Sequence, residues 1–185
     1  MVTLCWEVNG SPSACRRQRR AEGLADLAQL GVDVRRADFA DPSSLDTAFD
    51  GADKVLLVST TDVGQRAIQH GNAIVAAAAA GVRLIAYTSI PYADTSSLVL
   101  AQEHLATERL LADSGVPFVL LRNGWYIENY THQIDLYAEH GIAGAAGAGR
   151  VSAATRADYA EAAAAVLTTE GHAGTSTNSG ERRST

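Results

Sequence analysis

The sequence predicts an α/β fold, a doubly wound parallel sheet with helices on both faces. Three observations lead there. The runs "KVLLVS" (54–59), "VRLIAYTS" (82–89) and "VPFVLLR" (116–122) are short, continuous and apolar, as strands buried on both faces must be. The intervals between them carry apolar residues at helical spacing. Helices end at glycines and the connections are short, which favours right-handed strand–helix–strand crossovers.

Taken in order, residues 22–30 place Leu24, Leu27, Ala28 and Leu30 on one helical face, with Gly31 following as a cap. "VDVRRADF" alternates as a brief strand over 32–37. "DPSSLDTAFDG" offers Asp41 as N-cap, Pro42 at the first helical position and Gly51 as the stop. Ile68, Gly71, Val75 and Ala78 mark a helix over 64–80 that closes at Gly81, and another covers 101–114 before Gly115. After a Gly/Ala-rich stretch comes a last helix, capped by Asp158 or Thr155.

Composition narrows the function. A chain of 185 residues, 46% of them apolar, buries one ordinary core and is too short for two large domains. A formal charge of −6 gives no field that would recruit nucleic acid or an anionic membrane, so small molecules are the expected partners. No run reaches membrane-spanning length and the N-terminus lacks the order of a secretory signal, so a cytoplasmic setting is expected. Cys5 and Cys15, without CxxC spacing, predict neither a disulfide framework nor a metal site. Lys54 is the only lysine and stands ahead of a strand, a poor place for a catalytic amine.

In a doubly wound sheet ligands lie beyond the carboxyl ends of the strands. The candidates are therefore Asp38, the 59–62 turn with Ser59, Thr60 and Thr61, the 88–91 turn with Thr88 and Ser89, and residues 123–129. The last of these, in "LRNGWYIENY", breaks abruptly from an apolar strand into Asn123, Gly124, Trp125, Tyr126, Ile127 and Glu128. One aromatic turn alone could equally cap the core and satisfy its own hydrogen bonds. Small polar groups at three strand ends favour a site, and Gly124 would let the backbone approach a ligand.

The blocks "VLLVSTTDVGQR", "AYTSIPYADTS", "HLATERLLADSGVPFVLLRNGWYIENY" and "ATRADYA", in this order, resemble the NmrA-like atypical short-chain reductases over residues 21–174. The resemblance implies a Rossmann-like NAD(P)-binding domain and hydride transfer from NADPH to a quinone-like small molecule. The choice between NADPH and NADH stays open, as does the assembly state. It also implies that Ser59, Thr60 and Thr61 lie beside the cofactor, that residues 123–128 line the nicotinamide side, and that Trp125 and Tyr126 offer a flat wall to a quinone. Ala153 and Thr155 would close the pocket. A Tyr–Lys pair four apart is absent, because Pro91 follows Tyr87 at that spacing. Counting back from Gly115, as related plant reductases suggest, makes His104 the catalytic proton donor, with Glu108 one turn later to orient the ring or raise its pKa. His70, His132, His140 and His172 are expected to be solvated or packed. A sensor that binds NADP without turnover is the alternative function, and a nonfunctional fragment the second.

The front departs from that family. Residues 1–20 form an atypical segment without GxxGxxG, the motif whose glycines let backbone N–H groups reach a pyrophosphate. Its alternation of Val2, Leu4, Trp6 and Val8 can make a strand followed by a basic arm, Arg16, Arg17, Arg19 and Arg20, facing a 2′-phosphate. A nucleic-acid or targeting arm is a weaker reading. A segment foreign to the original reading frame is the favoured one. Residues 175–185 contain no apolar side chain and are expected to be disordered.

Overall fold

The structure is a computed structural model of the full chain and describes residues 2–5, 29–35, 37–142, 147, 149–150 and 151–179. Five strands form one parallel sheet: β1 (Val2–Cys5), β2 (Lys54–Leu57), β3 (Leu84–Ser89), β4 (Phe118–Asn123) and β7 (Ser176–Ser179), in the order β1-β2-β3-β4-β7. A separate pair joins β5 (Trp125–Tyr126) to β6 (Ala153–Ala154). The helices are α1 (Pro42–Phe49), α2 (Arg66–Ala79), α3 (Val99–Asp113), α4 (Glu128–Thr131), α5 (Ile134–His140) and α6 (Arg156–Thr168).

The apolar runs become central strands because both of their faces are covered. Val55, Leu57, Ile85, Tyr87 and Leu120 point to one side, into a core with Leu45 and Phe49 of α1, Ile74 of α2 and Leu111 of α3. Their neighbours Leu56, Leu84, Ala86, Val119 and Leu121 point to the other, against Ala163, Val166 and Leu167 of α6. The period of two along each strand divides the residues between these layers. Asp41 caps α1 by accepting the Ser43 amide, and Thr155 and Asp158 form a reciprocal capping box on α6.

Two expectations are corrected, the strand over 32–37 and the disorder of the whole polar tail. Residues 32–35 pair with no strand among the described residues, and Val32 and Val34 are exposed. Alternation proposes a strand; only a neighbouring ladder stabilises one. The sheet edge beside β2 is filled by β1, in register from Val2↔Lys54 to Cys5↔Leu57. At the other edge the polar tail does not begin in disorder, since Ser176–Ser179 pairs with β4 from Leu120↔Ser176 to Asn123↔Ser179. Ladder hydrogen bonds use backbone groups, so an edge strand can form without apolar side chains. Most of the helix expected over 22–30, the basic arginines and Cys15 lie outside the described residues, as do 180–185.

Candidate functional site

Because β2, β3 and β4 are adjacent and parallel, their carboxyl ends open on one rim. Ser59 and Thr88 are joined across it: the Ser59 amide donates to Thr88 Oγ1 at 2.8 Å, and the two hydroxyls are 3.4 Å apart. Thr88 stands in register with Leu121, two residues before Asn123, which is buried. Thr60 is buried and Thr61 exposed. The structure therefore sets Ser59, Thr88, Ser89 and Asn123 on one rim, with Thr60 and Thr61 following Ser59 along the chain.

The rim is braced from below by charged groups of α2 and α3. Arg66 Nε donates to the Thr60 carbonyl at 2.8 Å, and its Nη1 lies 3.1 Å from Glu103 Oε2. Glu103 also accepts the Gly64 amide, fixing the turn after β2 to α3. Glu108 binds two neighbouring strands at once. Its Oε1 accepts the Ser89 hydroxyl at 2.6 Å and Arg122 Nε at 3.1 Å, while Oε2 accepts Arg122 Nη2 at 2.8 Å. Ser89 and Arg122 are register partners, so this carboxylate locks β3 to β4 at the site. The bond to Glu108 raises the Arg122 pKa further above its ordinary value.

Glu108 thus does not orient His104. The His104 ring is buried, with Nδ1 2.8 Å from the Tyr87 hydroxyl, and Tyr87 is fully enclosed in β3. Burial, helped by the Arg66 charge, pushes the His104 pKa down to about 4, opposite to the expected rise.

The aromatic turn also divides. Trp125 and Tyr126 are strand neighbours and face opposite ways, so they do not form one wall. Tyr126 packs edge-on against Tyr159, centroids 5.5 Å apart, with the Arg156 guanidinium 5.1 Å from its ring. Trp125 is 50% exposed and lines a groove of about 430 Å3 with Asn129, Tyr130, His132, Gln133 and Tyr137. Ser59, Thr88 and Asn123 do not line that groove. Trp125 and Asn129 of this lining stood among the sequence candidates, whereas Tyr130, His132, Gln133 and Tyr137 did not, although Asn129, Gln133 and Tyr137 recur every fourth residue.

The remaining predicted residues have structural partners. The amide of Arg156 donates to Glu128 Oε1 at 2.9 Å at the N-terminus of α6, and this bond lowers the Glu128 pKa. Ile127 donates its amide to Ala154, and Ala153 pairs with Trp125. Gly124 is required for packing: a Cβ there would lie 2.7 Å from the Ser152 carbonyl oxygen and 3.1 Å from the Tyr159 hydroxyl. The close approach expected of it is made by β6 and α6. Asp38 bonds within its own turn, with Oδ1 accepting the Ala40 amide at 2.9 Å and its amide donating to Ser44 Oγ at 2.9 Å. Lys54 is buried at the opposite end of β2, donating to the Leu167 carbonyl at the C-terminus of α6 at 3.0 Å.

The fold is shared with known NADP(H)-binding reductases. Over 149 residues the chain is 56% identical to quinone oxidoreductase 2 of Escherichia coli K12, covering 80% of this chain and 52% of that protein. The crystal structure of the E. coli NADPH-dependent quinone oxidoreductase with NADPH superimposes with a TM-score of 0.80 at 53% identity, covering 85% of this chain and 56% of the other. Triphenylmethane reductase of Citrobacter sp., complexed with NADP(H), also gives 0.80, at 39% identity over 86% of this chain and 57% of that one. The chain spans about half the length of the curated relatives it matches. A family model described as NAD(P)H-binding matches residues 12–170, and the chain belongs to that family.

Proposed function

We propose that this chain binds NADPH with its nicotinamide at the Ser59–Thr88–Asn123 rim and reduces a quinone or similar small acceptor, with NADH as the second donor to test. The observation that carries this reading is the convergence of three small polar strand ends on one rim, in a chain 56% identical to a quinone oxidoreductase. The described residues fit the redox end of the cofactor: hydroxyl and amide groups are close together, and Thr60 Oγ1 is buried without a partner among the described residues. Residues 6–28, where this fold would place its pyrophosphate turn, lie outside those described and carry no GxxGxxG.

The bound nicotinamide supplies a hydride, which with one proton converts a quinone to a hydroquinone and leaves the oxidised cofactor. Ser59, Thr61 and Thr88 would hold it through their hydroxyls and Asn123 through its carboxamide. Trp125, at the mouth of the groove, would stack on the acceptor. His104 is enclosed and neutral, so water is assigned as the proton source. The cytoplasmic setting expected from the sequence belongs to the same proposal.

NADPH oxidation with a simple quinone tests it. Turnover dependent on both supports the reading. NADPH affinity without turnover would instead assign the chain to binding alone, and no nucleotide affinity would remove both.

A further inference from the structure

His70 received only a packing role from the sequence, yet its bonds reach the rim. The ring is fully buried on α2, edge-on to Tyr87 with centroids 5.4 Å apart. The Thr60 amide can only donate, so His70 Nε2 must accept it, at 3.1 Å. The proton of the neutral ring then sits on Nδ1 and is donated to Thr107 Oγ1 at 2.9 Å. Thr107 gives its own hydroxyl proton to the Glu103 carbonyl at 3.1 Å. This chain fixes the tautomer, and burial keeps the ring neutral, with its pKa pushed down to about 3.

One turn earlier on the same helix, Arg66 takes the Thr60 carbonyl. Both backbone polar groups of a single residue are thus held by side chains four apart on α2, while Thr88 holds the adjoining Ser59 amide. Neither bond belongs to the sheet ladder, which ends at Leu57 in β2. The segment after β2 therefore owes its path to these side chains.

We propose that His70 and Arg66 are positioning residues for the cofactor, gripping the amide and carbonyl of Thr60 so that Ser59 and Thr61 keep their places at the rim. The inference rests on the reading given under Proposed function, and it adds two residues that do not themselves touch the cofactor.

The test measures NADPH affinity and hydrogen exchange of the Thr60 amide on the full chain, in wild type, His70→Leu, His70→Gln and Thr107→Val. Loss of one buried hydrogen bond at the loop is expected to raise Kd about tenfold in His70→Leu and to speed Thr60 exchange by a similar factor. Gln can present an oxygen where Nε2 stands, and His70→Gln is expected to recover wild-type affinity to within about threefold. A purely structural role would lower the unfolding midpoint of both variants and leave the Kd of the folded protein unchanged. That result overturns the proposal. Should His70→Leu not fold, Thr107→Val decides, because it removes only the hydroxyl that fixes the tautomer: weaker-binding, faster-exchanging protein supports the clamp, and wild-type values in both overturn it. A wild-type chain without NADPH affinity overturns the parent reading, and Thr60 exchange in the same samples still shows whether the clamp exists.

Discussion

Glu108 Oε1 accepts the Ser89 hydroxyl at 2.6 Å, and the same carboxylate holds Arg122 of the next strand. One buried side chain of α3 therefore sets the spacing of two strand ends that form the candidate site. Replacing it strands an arginine whose side chain is only 18% exposed. Glu108→Ala is expected to cost about 2–4 kcal/mol, slightly below the range for a fully buried pair because Arg122 keeps some water contact. Urea unfolding checks this, and a loss under about 0.5 kcal/mol, the level of an ordinary surface change, would contradict the clamp.

Gly124→Ala tests the packing role of the glycine. The added methyl group meets the Ser152 backbone oxygen at 2.7 Å, and a backbone atom cannot swing aside as a flexible side chain could. A stability loss of about 1–3 kcal/mol is expected, with β5 and β6 separating. Unchanged thermal unfolding and NADPH affinity would show that the two strands do not need this contact.

Acid should weaken the fold through two enclosed imidazoles. His70 and His104 have folded-state pKa values of about 3 and about 4, both depressed from 6.5. For a depressed histidine the unfolded chain binds the proton first, so the contribution is fully present above the unfolded pKa and is lost as pH falls below it. Stability is expected to be flat in these two groups above about pH 7 and to fall below about pH 6 by up to ~1.4 kcal/mol per pH unit for each histidine. Urea midpoints across that range measure it, and the slope in His70→Gln should drop by one proton. An identical slope in the variant would place His70 in water.

His104→Ala separates proton donation from packing. The variant loses the partner of the Tyr87 hydroxyl and should be less stable, but under the proposed reaction the folded protein should keep kcat within a few-fold if water supplies the proton. A loss of about 10²-fold or more at unchanged folding would restore His104 as the acid.

Most of the sheet was legible because its central strands obey a local rule. Residues 55–58, 84–87 and 118–121 are apolar at every position, and Asp41 and Pro42 announce α1. The edges were less legible: the alternation at Val2 and Leu4 allowed a strand at β1 without naming its neighbour, and Ser176–Ser179 carries no apolar signal at all. At the site, position near a strand end pointed to Ser59, Thr88 and Asn123, which stand at the carboxyl ends of adjacent parallel strands. Sequence spacing could not reveal that His70 and Arg66 turn inward to Thr60, nor that Glu108 turns to Arg122 instead of His104, since those choices are made by packing between α2, α3 and the sheet.

The central claim is that the strand-end rim receives the nicotinamide of NADPH. Its most direct measurement is an NADPH titration of the isotopically labelled chain, following the backbone amides of Ser59, Thr60, Thr88 and Gly124 by NMR. Saturable shifts concentrated at these four amides are the predicted result. Saturable binding that leaves all four unmoved, or no binding at all, would contradict the account.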